Sequence, residues 1–209
     1  MSAIAPPTNS TISTAPTLTV RRRWAALAVL MLPVILIAVD NTVLAFALPG
    51  ISAALSPSGA QLLWIVDAYP LVLAGLLVPM GSLGDSVGRR RLLMIGGLGF
   101  AVVSAFAAFA PTAAALIAAR AALGFFGAML MPATLSIIRN VFTDPTERRT
   151  AIAVWAAGFS GGAALGPIVG GVLLEHFWWG SVLLLAVPVL VPLLALGLWL
   201  IPESKDPDP

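Results

Sequence analysis

Cysteine is missing from the chain altogether, and histidine occurs once, as His176. The first absence excludes a disulfide framework, a thiolate metal site and a cysteine nucleophile. The second leaves no histidine cluster to hold a metal. Charge is nearly as scarce. Asp, Glu, Lys and Arg make up 10% of the 209 residues, against about a quarter in a soluble domain. No Walker A phosphate loop occurs, which argues against an ATP-driven pump. No nucleophile–base–acid set occurs either, so the chain reads as a non-enzyme with no cofactor.

What fills the chain instead is apolar. Hydrophobic residues make up 59%, and the mean hydropathy is +1.01. A soluble domain of this size could not cover so much apolar surface with so few charges, so the lipid bilayer is its expected solvent. A pI near 9.9 invites a nucleic-acid partner. The basic residues, however, fall in short groups beside apolar runs, with a net charge of only +2. That distribution fits topology signals better than a phosphate-binding face, and no nucleic acid is expected.

Residues 1–20 are rich in Ser, Thr, Pro and Ala and lack charge, which predicts a disordered tail. A bundle over 21–201 follows, and 202–209 read as the start of a linker. Six apolar stretches lie within the bundle: Trp24–Leu48, Leu62–Leu83, Leu92–Phe109, Ala113–Ile138, Thr150–Leu174 and Ser181–Ile201. Each is long enough for a hydrocarbon core of about 30 Å. Without water, backbone polar groups must be satisfied within their own segment, so the stretches are predicted to be helices. The first, with its basic triplet and Ala45-Phe46-Ala47, has some look of a cleavable signal. It is too long for one, and Asp40 and Asn41 interrupt it.

Orientation follows from the basic residues. Arg21, Arg22 and Arg23 precede the first span, and Arg89, Arg90 and Arg91 lie between the second and third. Arg139, Arg148 and Arg149 separate the fourth from the fifth, and Lys205 follows the sixth. The alternate connections Pro49–Gln61, Ala110–Thr112 and Glu175–Gly180 hold no Lys or Arg. The basic side is cytoplasmic by the positive-inside rule, placing both termini in the cytoplasm and the protein in the plasma (inner) membrane.

Three ionisable residues interrupt the spans: Asp40, Asp67 and Arg120. Such residues are costly in hydrocarbon and mark functional sites by default. At about 1.5 Å per residue, all three lie roughly 7–13 Å below the outer ends of their helices. One shared layer lets two carboxylates and a guanidinium meet in one cavity. There a carboxylate could take up and release protons while a nearby charge tunes it, and could attract a cationic small molecule. The competing reading is a static pair that fixes helix packing, and Asp67 is near enough to the interface to be solvated. In the fifth span, "AAGFSGGAALGPIVGGVL" sets Gly158, Gly162, Gly166 and Gly170 at i+4 spacing, with Pro167 beside them. Four glycines on one face form a groove for the backbone of another helix. Upstream, Asp144, Pro145 and Glu147 read as a helix N-cap.

Between the second and third spans lies "GSLGDSVGRRR", in which Gly81, Asp85, Gly88, Arg89 and Arg90 stand out. This turn resembles the signature loop of the major facilitator superfamily. "LIAARAALGFFGA" around Arg120 is similar to that family's fourth-helix motif, and "GGAALGPIVGG" to its fifth-helix antiporter motif. "AVDNTVLAFALP" and "WIVDAYPLVLAGLLVPMGSLGD" resemble its fourteen-helix drug:proton antiporters, the branch that expels quaternary ammonium compounds. The resemblance implies an all-α membrane protein, one six-helix bundle of two inverted three-helix repeats. It implies proton-coupled efflux of organic cations, with Asp40 and Arg120 coupling protons. Asp67, Asp40 and Tyr69 would bind substrate, and Asp85 with its arginines would gate the cytoplasmic side. Members of the family have twelve or fourteen spans, so a second half, or a second copy, is expected to complete the cavity and cover the glycine groove. The rival functions are a facilitator for an uncharged metabolite and a non-transporting membrane subunit or remnant.

Overall fold

A computed structural model describes residues 19–201. The expected linker and all but the last two residues of the expected tail lie outside the described residues, as does Lys205. Among the described residues the chain is entirely helical: α1 (Val20–Leu55), α2 (Gly59–Val87), α3 (Arg89–Ala107), α4 (Ala113–Val141), α5 (Pro145–His176), α6 (Ser181–Leu184) and α7 (Ala186–Leu200). The last two form one span, so six helical spans are long and apolar enough to cross a membrane. The break falls at Leu185 because Pro188 has no N–H to return to the carbonyl of Leu184.

The helices outrun the apolar stretches at several ends. Helix α1 continues through Pro49 to Leu55 and ends at Ser56, which adopts a left-handed conformation with φ 45°. Helix α2 starts at Gly59 because Ser58 and Gln61 form a reciprocal capping box. The carboxylate of Asp144 accepts from the N–H groups of Thr146 and Glu147, both at 2.9 Å, as an N-cap should. Glu147 does not complete a capping box; it pairs with Arg23 at 2.7 Å, joining the starts of α1 and α5.

Packing follows an exchange between the two triplets of spans. The first span of each triplet packs on the second and third spans of the other: α1 on α5 and α7, α4 on α2 and α3. That reciprocity is what two three-helix repeats related by a pseudo-two-fold axis produce, and an odd number of spans per repeat makes them inverted. Consequently α1 and α4 are central. In their most apolar stretches 67% and 56% of residues are buried, against 17% in α2 and 11% in α5, which leave broad faces open.

The arginine-bearing ends gather at one end of the bundle. Arg22 donates to the carbonyl of Trp199 at 2.6 Å, and Arg90 to that of Ile201 at 3.2 Å. Two cations thus hold the negative C-terminal end of α7.

Candidate functional site

The site begins with glycine. Gly124 lies one turn beyond Arg120 on α4, and a methyl group there would stand 2.6 Å from the carbonyl oxygen of Tyr69. A bare Gly124 therefore lets α4 lie against the backbone of α2, at the turn running from Ile65 to Tyr69. That turn receives the Arg120 side chain. Its Nε donates to the carbonyl of Ile65 at 3.2 Å, and its guanidinium carbon sits 4.4 Å from the centre of the Tyr69 ring. From the other side α1 supplies Asp40, whose Oδ2 accepts from Nη1 at 2.7 Å. The side chains of Arg120 and Asp40 are only 2% and 5% exposed, so the pair is enclosed by three helices. Phe100 of α3 meets the Tyr69 ring edge-on, with centroids 6.3 Å apart.

Charges enclosed this way must be paired, because an isolated guanidinium in a low-dielectric interior is heavily penalised. A carboxylate, a backbone carbonyl and an aromatic face supply that pairing from three directions. Ile65 and Phe100 are the partners that sequence reasoning missed. The carbonyl carries no side-chain signal, and Phe100 sits within the uniformly apolar stretch 92–103 of α3. Gly124, at i+4 from Arg120, was the available clue to close approach.

Asp67 does not join the pair, which corrects the expectation of one cavity holding all three charges. At about 100° per residue it lies roughly 200° around α2 from Ile65, on the opposite face from the turn that grips Arg120. It is half-buried and has no hydrogen bond or ion pair among the described residues. Depth in the membrane was shared; direction was not. Tyr69 and Asp40 are also enclosed rather than presented to a substrate, at 0% and 4% exposure.

The loop motif is corrected in form. Gly81 and Asp85 are helical in α2, Arg89 and Arg90 in α3, and Gly88 alone interrupts them. At φ 115° that residue adopts a conformation favoured only by glycine, which reverses the chain in one step. Asp85 finds its partner inside the chain, accepting from Arg89 at 2.7 Å.

The glycine groove is corrected in its partner. At Gly162 a methyl group would lie 2.8 Å from Cβ of Ala38 and 2.9 Å from the carbonyl oxygen of Ile35; at Gly166, 2.8 Å from Cβ of Thr42. Gly158 faces Met31 and Gly170 faces Val43. The helix in the groove is α1 of the same chain, not one from a second half, because the repeat exchange already seats α5 there. Helix α5 runs unbroken through Pro167.

The sequence matches the profile of the Major Facilitator Superfamily over residues 30–209. The multidrug efflux pump LfrA of Mycolicibacterium smegmatis is 69% identical over 193 residues, covering 92% of this chain and 38% of that protein. The methyl viologen resistance protein SmvA of Salmonella typhimurium is 49% identical over 183 residues, covering 88% of this chain and 37% of that protein. The chain thus spans less than half the length of these curated relatives. Among solved structures, the peptide transporter POT in complex with sulfate superposes with a TM-score of 0.73 at 19% identity, over 88% of this chain and 39% of that one. A bacterial homolog of the human lysosomal transporter Spinster, inward-facing and unoccupied, gives 0.66 at 22% identity, over 92% of this chain and 46% of that one. At such identities the likeness is one of fold.

Proposed function

The chain belongs to the Major Facilitator Superfamily, and from that premise we propose that it forms one bundle of a proton-coupled transporter exporting organic cations and drugs by alternating access. The observation that carries this reading is the Asp40–Arg120 pair at 2.7 Å, enclosed between the two central helices. Packing alone does not require it, since along the glycine run small residues bring α1 and α5 together without a buried charge. A carboxylate beside a guanidinium is instead a switch: a proton taken up by Asp40 cancels one charge and weakens the hold between α1 and α4. Release of that proton restores it.

Asp67 has the complementary role. Half-buried on the open side of α2 and without a charged partner, it supplies negative charge where a second bundle completes the cavity. The relatives named for multidrug efflux and methyl viologen resistance support such a cargo. In this reading the end of the bundle that gathers Arg22, Arg23, Arg89 and Arg90 faces the cytoplasm, on the inner side of the plasma (inner) membrane, by the positive-inside rule. There the Asp85–Arg89 turn, with Arg22 and Arg90 bound to the end of α7, latches the cytoplasmic side.

The test uses the complete transporter that carries this bundle, reconstituted in vesicles with an imposed pH gradient. Asp67→Asn lowers transport of a cationic dye on the order of tenfold, the size of a lost attraction of about 1.4 kcal/mol in a wet site, and spares a neutral drug. Arg120→Ala abolishes both. Equal loss for the two cargoes with Asp67→Asn removes the recognition role. Gradient-driven transport surviving Arg120→Ala removes the coupling role.

A further inference from the structure

The proton-switch reading leaves a physical difficulty: once Asp40 is neutral, Arg120 remains a cation enclosed in a bundle that crosses hydrocarbon. We infer that Tyr69 is the positioning residue that keeps the guanidinium in place through that state, an inference that rests on the switch reading. Three observations carry it. The guanidinium carbon lies 4.4 Å from the Tyr69 ring centre, within the range of a cation–π contact. The Nε–H is separately held by the carbonyl of Ile65, one turn earlier on the same helix. Neither contact involves Asp40, so α2 holds the cation by two supports independent of α1.

The ring itself is locked. Phe100 abuts its edge from α3. Gly127 of α4 lies beside it, and a methyl group there would be in ordinary contact with Cε2 and Oη, both at 3.5 Å. Its phenolic hydroxyl is buried without a hydrogen-bond partner among the described residues. The ring face, not the hydroxyl, is therefore what the site uses. A hydroxyl with no partner also explains why the residue need not be tyrosine: phenylalanine presents the same face and removes a buried polar group that nothing satisfies. Among the described residues no other charged group shares the cluster: Asp67 occupies the opposite face of α2, and α3 meets the ring through Phe100.

Thermal melting in detergent of the same complete transporter tests this in three backgrounds: native, Asp40→Asn, and Asp40→Asn with Arg120→Gln. The first keeps both charges, the second leaves a cation held only from α2, and the third leaves no charge at all. Tyr69→Leu lowers the melting temperature most in the second background, by about twice the native loss, and least in the third, since coupled contacts are non-additive. Tyr69→Phe restores native melting and native gradient-driven transport. Equal losses in all three backgrounds overturn the inference, as does a Phe variant no better than Leu. Should Asp40→Asn not be recovered folded, native against the charge-free pair decides: a loss no larger in native overturns it. Failure of gradient-driven transport in the native protein would sink the switch reading and leave the melting order intact, so the two fail separately.

Discussion

Gly161 and Gly162 are neighbours on α5 at the same depth, yet they face different surroundings. A methyl group at Gly161 meets nothing within 4 Å, while at Gly162 it meets Cβ of Ala38 at 2.8 Å and the carbonyl oxygen of Ile35 at 2.9 Å. Replacing either glycine by alanine gains about 1 kcal/mol of intrinsic helix preference. At Gly161 that gain stands alone. At Gly162 the opposing atoms belong to the backbone and first side-chain carbon of α1, which cannot rotate away, so α1 and α5 must separate. Overpacking of that kind costs up to about 3 kcal/mol, for a net loss of about 2 kcal/mol. The two variants therefore differ by about 3 kcal/mol, or roughly 6–12 °C in melting temperature for a protein of this size. Tryptophan fluorescence melts of the purified chain in detergent measure the difference directly. If Gly162→Ala melted within about 2 °C of Gly161→Ala, the α1–α5 contact would be wrong. A groove that instead received a second bundle would leave the chain's melting untouched and weaken association.

Two further outcomes follow from the same geometry. Asp40→Leu alone costs about 3–5 kcal/mol by stranding Arg120, whereas Asp40→Leu with Arg120→Met costs far less; additive losses would mean that the two residues are not partners. Cysteines introduced at Ser58 and at Arg91 lie at opposite ends of the bundle. In intact cells an impermeant thiol reagent labels the first and spares the second, and the reverse pattern would invert the topology.

Much of this architecture was legible because lipid leaves few choices. Six apolar stretches had to be helices, and the basic residues marked alternate ends. Asp144 announced its cap through its own side-chain chemistry. Helix ends were harder. Pro49 read as a terminator, but a proline near the end of a long helix loses one hydrogen bond without ending it, and the true start signal was the Ser58–Gln61 box. Partners were harder still. The fifth-helix glycines told that some backbone comes close, not which one. In α2, apolar all round, no polar stripe revealed which face is buried, so Asp67 and Tyr69 looked alike although they point apart.

The two contacts of α1 differ in kind, and that difference bears on how such a bundle moves. Against α5 the helix is held along a run from Gly158 to Gly170, where glycine brings the backbones into direct touch. Sliding there would drive Ala38 or Thr42 into a neighbouring turn, so α1 and α5 move as one body. Against α4 the decisive polar contact is a single ion pair, Asp40 with Arg120. Along the glycine run no titratable side chain faces the first contact. Under the proposed reading the second contact has two states, because one proton changes its charge while the supports from Ile65 and Tyr69 keep the arginine seated on α2. The joint that yields, under the same reading, is therefore the one between the α1–α5 and α2–α4 pairs. Asp40 and Arg120 sit at that joint, where under this reading a proton alters the packing without unpicking a helix.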